Sequence, residues 1–257
     1  MTARVVWISL TPVKATRLRL VDEAELGEAG VRGDRRFYVV EERGLLVNDK
    51  HVGALQLVDS EYDDTTGRLS LRFPDGVEVG ADVELGDEIE TKFHGMPRRA
   101  RVVLGPFATA LSEYTGRPLR IVEPGLPAPD RGRSGAVTLL ATSSLARLAD
   151  ELGVDMVDGR RFRMNLGIDG LDPHGEDAWH GRRVRVGEAL VVPQGNVGRC
   201  AVTTQSPDTG RPDLDTLRAL AAYRSDVETT EPLPFGVHAA VVEPGLVRIG
   251  DPVEVVA

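Results

Sequence analysis

Short apolar or alternating segments recur along the chain and are typical of β-strands. Glycine, proline and acidic residues separate most of these segments, and residues 64–67 and 74–76 have the composition of hairpin turns. Many short strands with frequent turns favour barrels or sandwiches over a wound parallel sheet. The predicted strands are residues 5–9, 37–40, 55–58, 69–73, 102–104, 137–140, 184–186, 190–192 and 237–242.

A repeated local pattern supports this β-rich interpretation. Residues 83–89, 184–190 and 247–253 each contain two apolar runs joined by a glycine–acid pair, as at the corner of a barrel. The irregular spacing of the three copies argues against a solenoid. We therefore expect a mixed, β-rich α+β fold with a few short helices.

Three segments break the strand pattern and predict helices. The first begins near Pro106 and ends before Gly116, because proline suits a helix start and glycine a helix end. The second begins at Thr142 or Ser143 and ends at Gly153. The third follows residues 212–213 and carries leucines at helical spacing. The core leucines predicted for the second and third helices are Leu145, Leu148, Leu152, Leu214, Leu217 and Leu220.

Residues 123–135 are rich in proline and glycine and predict a boundary between two β-rich halves. The predicted domains are residues 1–123 and 124–257. A functional loop over a cleft is the competing interpretation of the same segment.

Composition is that of an ordinary globular protein, with 41% apolar and 28% charged residues. The net charge of −9 disfavours a nucleic-acid partner. No apolar run approaches the roughly 18 residues of a membrane span, and no signal-peptide core is present, so we expect a cytoplasmic protein without membrane attachment. A single cysteine excludes an internal disulfide and agrees with a reducing compartment.

Cys200, that single cysteine, is the strongest candidate for chemistry. A lone cysteine is commonly a small buried hydrophobe, which is the competing interpretation. Here Arg199 can favour the thiolate, while Gly195 and Gly198 permit close approach of the backbone. A thiolate is a soft ligand and suits the later or heavier metals.

Basic and amide residues elsewhere suggest an anion and a heterocycle. Residues 160–163 form an arginine cluster that leads to Asn165, and Lys14 follows the first predicted strand. Arginine binds phosphate through a bidentate fork, and an amide can donate to and accept from the edge of a heterocycle. The five histidines form no zinc-ligand spacing, and P-loop, Rossmann and Gly-x-Ser-x-Gly motifs are absent.

Taken in order, these motifs resemble the MOSC-domain proteins that include the mitochondrial amidoxime-reducing component and its bacterial relatives. The resemblance implies an N-terminal β-barrel module, a C-terminal MOSC β-barrel, and a molybdenum–molybdopterin cofactor between them; pyridoxal phosphate is not expected. The matching segments are residues 12–14, 33–37, 139–145, 161–165, 176–179, 198–204 and 207–210.

The resemblance also implies roles for particular residues. Cys200 becomes the protein ligand of the metal and thereby the catalytic residue, with Arg199 beside it. Arg35 and Arg36 are alternatives for one cofactor contact. The cofactor-binding residues expected from the family are Lys14, Arg35 or Arg36, Ser144, Arg163, Asn165, Arg199 and Thr203.

Three positions depart from the family pattern. Ala15 and Gly198 stand where serine is frequent, and Met164 stands where proline is frequent. Each change removes a side-chain contact or some rigidity without removing a metal ligand.

The implied activity is reduction of N-hydroxylated small molecules such as amidoximes, hydroxylamines and N-hydroxylated bases. Because the chain carries no cysteine-rich iron–sulfur module, electrons are expected from a separate ferredoxin-, flavodoxin- or cytochrome b5-like protein. The alternatives are a non-catalytic carrier of the cofactor or a sulfur-carrier accessory protein, and a barrel protein with an inert cysteine.

Overall fold

The computed structural model describes residues 2–125, 132–229 and 231–256. In the first half, the described strands and helix are β1 (Ala3–Leu10), β2 (Arg19–Val21), β3 (Glu23–Gly27), β4 (Gly30–Val31), β5 (Tyr38–Glu41), β6 (Leu46–Val47), β7 (Asp59–Asp63), β8 (Arg68–Arg72), β9 (Glu78–Asp82), β10 (Leu85–Phe93), β11 (Met96–Val103), α1 (Phe107–Thr115) and β12 (Leu119–Pro124). In the second half they are β13 (Val137–Ala141), α2 (Thr142–Leu152), β14 (Leu166–Asp169), β15 (Arg183–Val186), β16 (Ala189–Gly198), α3 (Thr216–Arg224), β17 (Pro234–Glu243), β18 (Gly245–Arg248) and β19 (Pro252–Val256). Short 3-10 helices cover Gly53–Leu57, Gly132–Gly135, Gly159–Phe162, Gly175–Trp179 and Ala201–Thr204.

Seven strands close into a barrel in the order β14-β13-β17-β16-β15-β19-β1, and β14 pairs with β1 to complete it. Strand β2 extends the sheet beyond β1. Inward positions of the strands are aliphatic: Val5 and Ile8 of β1 and Leu139 of β13 are fully buried. This alternation buries one face of each strand, so closing the barrel removes its sheet edges and forms one apolar core.

The first half builds a second core against α1. A five-stranded sheet in the order β10-β11-β12-β5-β6 and a three-stranded sheet of β7, β8 and β9 enclose Phe37, Leu71, Phe107 and Ile121, which share one cluster of buried side chains. In a third small sheet β3 lies between β18 and β4, so a strand near the end of the chain pairs with one near its beginning. The β-rich class predicted from the sequence is confirmed.

The predicted helix ends agree with the structure. Helix α1 ends before Gly116 and α2 before Gly153, and both glycines adopt left-handed φ values of 67° and 66°. In α3 the cap is Asp215, whose carboxylate accepts from the Arg218 amide, and Leu214 precedes the helix. No helix among residues 2–125, 132–229 and 231–256 is long and apolar enough to cross a membrane.

Two local predictions were wrong. Residues 55–58 lie at the end of the 3-10 helix Gly53–Leu57 and beyond it, rather than in a strand. The fully buried Leu55 and Val58 are three positions apart, which suits a 3-10 turn as well as a short apolar run suits a strand. Gly86, expected in a turn, lies inside β10 at an irregularity of register, because β10 runs on past it to pair with β11.

The two halves of the chain are in close contact beside the turn at residues 206–210. A Cβ on Gly53 would lie 1.9 Å from the Gly210 carbonyl oxygen, so the two backbones approach as only glycine allows. The buried Gln56 donates to Gln205 Oε1 at 2.6 Å. These contacts hold the first half against the segment that follows Cys200.

The division at residues 123–124 stays a prediction. Strand β12 ends at Pro124, residues 126–131 of the predicted boundary lie outside the described residues, and Gly132–Gly135 forms a 3-10 helix. Strand β1 belongs to the first predicted domain, yet it completes the barrel made by strands of the second.

Candidate functional site

A cavity of about 430 Å³ lies where the two halves meet. From the first half it is lined by charged and amide side chains together with small residues, including Lys14, Ala15, Asp34, Arg35, Asn48, Asp49 and His94. From the second half its lining includes Thr138, Arg161, Phe162, Arg163, Met164, Asn165, Gly198, Arg199, Cys200, Thr203 and Glu231. Most of the predicted site residues, although far apart in sequence, therefore line one space.

Cys200 is exposed and lines this cavity. It follows β16 and directly precedes the 3-10 helix Ala201–Thr204, whose residue Thr203 donates its backbone N–H and its hydroxyl to the Cys200 carbonyl, both at 3.1 Å. The Thr203 hydroxyl also shares a 2.7 Å hydrogen bond with Thr216 of α3. Because Cys200 is exposed, the interpretation of a small buried hydrophobe is wrong.

Arg35 and Arg163 form a linked pair on the cavity wall. Arg35 donates to Asp34 and, at 2.7 Å, to the Arg163 carbonyl. Arg163 donates to the Thr16 carbonyl at 2.7 Å and lies 3.3 Å from the Asp49 carboxylate. Both arginines adopt left-handed φ values, 48° and 53°, an uncommon conformation for a residue with a side chain. These contacts hold two guanidinium groups beside the cavity in defined orientations.

The Arg199 side chain is held by backbone carbonyls of the second half. Its guanidinium donates to the carbonyls of Phe162 and Phe235 at 2.9 Å each and lies over the Phe162 ring. Lys14, on the other half, places its ammonium 5.6 Å from the centre of the Phe93 ring. Both cations line the same cavity as Cys200.

Asn165 lies in the cavity lining, but its amide is used by the protein. The oxygen accepts from the Thr138 backbone N–H and hydroxyl, at 3.2 and 2.9 Å. The nitrogen donates to the Ser9 carbonyl at 3.3 Å and to Asp34 at 2.9 Å. All four hydrogen-bonding positions of the side chain are therefore filled.

Two predicted site residues lie outside the cavity lining. Arg36 points to the surface of the first half, where it pairs with Asp64 and Glu123 and lies over the Tyr62 ring. Of the two alternatives, Arg35 is therefore the one at the cavity.

Ser144 is the second residue outside the cavity. It is fully buried in the first turn of α2, accepts from the His174 backbone N–H at 2.8 Å and lies 3.5 Å from a Glu176 oxygen. These neighbours form a closed polar group with shifted pKa values. Burial, followed by Arg224 and Arg147, lowers the pKa of His174 to about 4, and burial raises the pKa of Glu176 to about 7. Burial also raises the pKa of Tyr223 to about 12.

Sequence reasoning missed several cavity residues. Asn48 and Asp49 follow β6 and are both buried, while Asp34 accepts from Thr11, Arg35 and Asn165. Glu231 accepts from the Gly198 backbone N–H at 2.8 Å. For Asn48 and Asp49 the sequence did contain a signal, namely an amide and a carboxylate side by side directly after a short apolar strand. In the part of the chain that the structure describes, no group of three or more His, Cys, Asp or Glu side chains could hold a metal ion.

Comparison with known proteins agrees with this architecture. Residues 91–254 match the MOSC domain, and residues 2–113 match the MOSC N-terminal beta barrel domain. Mitochondrial amidoxime-reducing component 1 of Mus musculus is 27% identical over 281 residues, covering 98% of this chain and 81% of the relative. Mitochondrial amidoxime reducing component 2 of Homo sapiens is 28% identical over 292 residues, covering 98% and 82%.

A third relative is named for a different activity. Molybdenum cofactor sulfurase of Oryza sativa subsp. japonica is 26% identical over 251 residues, covering 84% of this chain but 30% of the sulfurase. Because the MOSC match spans more than half of the chain, this protein belongs to the MOSC domain family.

Proposed function

We propose that this protein binds a molybdenum–pterin cofactor in the cavity and reduces N-hydroxylated small molecules, with Cys200 as the protein ligand of the metal. The observation that carries the proposal is the exposure of the only cysteine in a cavity lined by several cationic side chains. Relatives named for amidoxime reduction, aligned over nearly the whole chain, support the choice of substrate class.

The cavity residues fit such a group chemically. A thiolate is a soft ligand that suits a heavy metal, and Lys14, Arg35 and Arg163 supply the charge that a phosphate requires. Asn48 adds a buried side-chain oxygen that has no hydrogen-bond partner among the described residues. An unpartnered acceptor in a cavity lining is costly unless a ligand or water completes it.

The cofactor, when bound, supplies the two-electron chemistry that removes oxygen from an N–O bond. The chain contributes binding and charge. Cys200 would hold the metal as a thiolate, and Arg199, fixed by two backbone carbonyls, adds positive charge to the same cavity. Electrons would come from a separate ferredoxin-, flavodoxin- or cytochrome b5-like protein.

A second function is favoured by the similarity to a molybdenum cofactor sulfurase. As a carrier or sulfur-handling accessory protein, the chain would bind the same cofactor without reducing any substrate. In the sulfur-carrier version the Cys200 thiol would take the outer sulfur of a donor persulfide, which is left as a thiol, and the resulting Cys200 persulfide adds the mass of one sulfur atom in intact mass spectrometry.

The test uses protein purified from a host that makes molybdenum cofactor. Molybdenum per chain and reduction of an amidoxime by a chemically reduced dye are measured for the wild type, Cys200→Ala and Thr204→Ala. The last variant is the control, since Thr204 lies outside the cavity lining and its hydroxyl, the group removed, donates to the nearby Ala201 carbonyl. We expect near-stoichiometric molybdenum and turnover in the wild type and control.

In Cys200→Ala we expect a loss of turnover of at least about a hundredfold, because a metal ligand is missing. Its melting temperature should stay close to that of the wild type, since Cys200 is exposed. Unchanged turnover in this variant, or a folded wild type without molybdenum, contradicts the proposal. Bound molybdenum without turnover of any N-hydroxylated compound favours the carrier function.

A further inference from the structure

The recognition of a heterocycle in this cavity needs polar groups that the protein does not already use. The amide of Asn165 is the residue that the sequence suggests for this task, and its four hydrogen-bonding positions are filled by Thr138, Ser9 and Asp34. Asn165 therefore stabilises the cavity wall, where it joins β13, β1 and the loop that carries Asp34. Other residues of the cavity lining are therefore needed to form hydrogen bonds with the heterocycle.

Asn48 and Asp49 each have a side-chain oxygen that accepts no hydrogen bond from the described residues. Their exposed fractions are 7% and 4%, and both residues line the cavity. Asn48 Oδ1 and Asp49 Oδ2 have no hydrogen-bond partner among the described residues. Asp49 Oδ2 lies 3.3 Å from Arg163 Nε as an ion pair without hydrogen-bond geometry. Two consecutive residues thus each carry a buried oxygen whose capacity to accept a hydrogen bond is not used by the described residues.

The chemistry of Asn48 and Asp49 determines which part of the cofactor they can bind. The phosphate and the sulfur ligands of a molybdenum–pterin cofactor are anionic and need donors or cations, whereas the side-chain oxygens of Asn48 and Asp49 can only accept hydrogen bonds. The aminopyrimidinone ring of the pterin is neutral and carries an amino group and a ring N–H side by side. Acceptor oxygens on two consecutive residues can complement two adjacent donors, and a buried carboxylate makes such hydrogen bonds stronger.

We propose that Asn48 Oδ1 and Asp49 Oδ2 bind the amino and ring N–H donors of the pterin. This inference rests on the proposed cofactor site and adds the ring-reading residues to it. Arg163 holds the Asp49 side chain in place: its Nε lies 3.3 Å from Asp49 Oδ2, and another of its nitrogens donates to the Thr16 carbonyl.

The first test measures cofactor retention. In Asn48→Leu, whose side chain has the same branching but no acceptor, bound pterin per chain should fall about tenfold. In Asn48→Asp, which keeps an acceptor oxygen, retention should stay within about threefold of the wild type. Pterin is quantified by fluorescence after oxidative release and molybdenum by elemental mass spectrometry.

Protein without cofactor supplies the structural control. Because Asn48 Oδ1 has no partner among the described residues, its replacement by leucine should not lower the melting temperature of the cofactor-free protein. The increase in melting temperature on cofactor loading should shrink in Asn48→Leu. A purely structural role predicts the reverse, with a less stable cofactor-free protein and an unchanged response to loading.

The second test uses two free ring compounds, pterin and lumazine, in fluorescence titrations of the cofactor-free full chain. Lumazine has an oxygen in place of the amino group, so it presents an acceptor to the acceptor oxygens of Asn48 and Asp49. We expect pterin to bind at least about tenfold more tightly than lumazine, and Asn48→Leu to lose most of this preference.

Equal binding of the two compounds by the wild type, no saturable binding of pterin, or an unchanged preference in Asn48→Leu would overturn the inference. These titrations involve neither metal nor turnover. Selective pterin binding by a protein that reduces no N-hydroxylated compound would therefore retain this inference while the reductase function fails.

Discussion

Two groups of polar side chains in this protein differ in their surroundings. The cavity group, which comprises Lys14, Arg35, Arg163, Arg199 and Cys200, lines an open space of about 430 Å³. The buried group, which comprises Ser144, His174, Glu176 and Tyr223, lies outside that lining, and the His174 ring packs against Tyr223 and Phe235. The groups meet at Phe235, whose carbonyl accepts from Arg199.

The comparison shows how enclosure changes the role of a polar residue. In the cavity group, backbone carbonyls and carboxylates hold Arg35, Arg163 and Arg199 in charged networks. In the buried group, desolvation shifts the pKa of Glu176 up to about 7 and that of His174 down to about 4, and both shifts favour neutral side chains. A polar residue within a family motif can thus belong to either kind of environment.

The largest expected effect on stability concerns Glu176→Gln. Since burial raises the pKa of Glu176 from 4.5 to about 7, the folded protein binds a proton that the unfolded chain releases between these pH values. The favourable contribution is complete below pH 4.5 and is lost as pH rises through 7. The loss is about 3 kcal/mol at most. Urea unfolding at pH 5 and pH 8 should show a smaller loss of stability with rising pH in Glu176→Gln.

His174 has the opposite pH dependence and is present in both proteins of that comparison. Its lowered pKa gives stability that is complete above pH 6.5 and is lost as pH falls toward 4. The difference between wild type and Glu176→Gln isolates the carboxyl group. An identical pH dependence in both proteins would show that Glu176 is ionised in the folded state.

A second prediction concerns the cavity group through Arg35→Gln. Removing one guanidinium from the predicted phosphate-binding wall removes a charge-assisted contact of about 2 kcal/mol, so cofactor retention should fall by about thirtyfold. Molybdenum and pterin per chain after gel filtration measure this loss. Retention equal to that of the wild type would exclude Arg35 from cofactor binding.

Ser144→Ala should have the opposite effect to Arg35→Gln, lowering stability and leaving cofactor retention unchanged. The substitution leaves the buried His174 backbone N–H without its 2.8 Å acceptor and should cost about 2 kcal/mol of unfolding free energy, with cofactor content unchanged. The matched control is Ser143→Ala, because the Ser143 hydroxyl has no partner among the described residues and its loss should be nearly neutral. A loss of cofactor at unchanged stability would move Ser144 into the site.

The smallest effect is expected for Arg36→Gln. The Arg36 side chain is 40% exposed, and its ion pairs with Asp64 and Glu123 lie at the surface. Such pairs contribute about 1 kcal/mol or less, so stability and cofactor content should stay close to the wild type. Comparison with Arg35→Gln on the same assays would assign the cofactor contact to one of the two adjacent arginines.

Much of the local structure could be predicted from the sequence. Helices α1 and α2 end where Gly116 and Gly153 adopt left-handed φ values, which are accessible to glycine at little cost. Most of the alternating apolar segments are strands because alternation buries one face of a sheet. Residues 55–58 were misassigned because a short apolar run fits a strand and a 3-10 turn equally well.

The candidate site was predicted in part. Its cysteine, lysine and arginine cluster carry their chemistry in any conformation, so residue type and order were sufficient to select them. Asn48 and Asp49 were missed because an amide and a carboxylate in a loop are typical of exposed turns. Both residues are buried, and Asp49 pairs with Arg163 of the second half, a contact that cannot be deduced from neighbouring residues alone.

The sequence by itself determined the β-rich class, the helix ends, the single thiol and the supply of positive charge, because each follows from residue type and local spacing. Only the tertiary structure decided that β1 completes the barrel between β14 and β19, that Arg35 rather than Arg36 lines the cavity, and that Ser144 lies in a closed polar group. The physical reason is that these outcomes depend on contacts between residues far apart in the sequence, from 30 positions for Ser144 with His174 to 128 for Arg35 with Arg163.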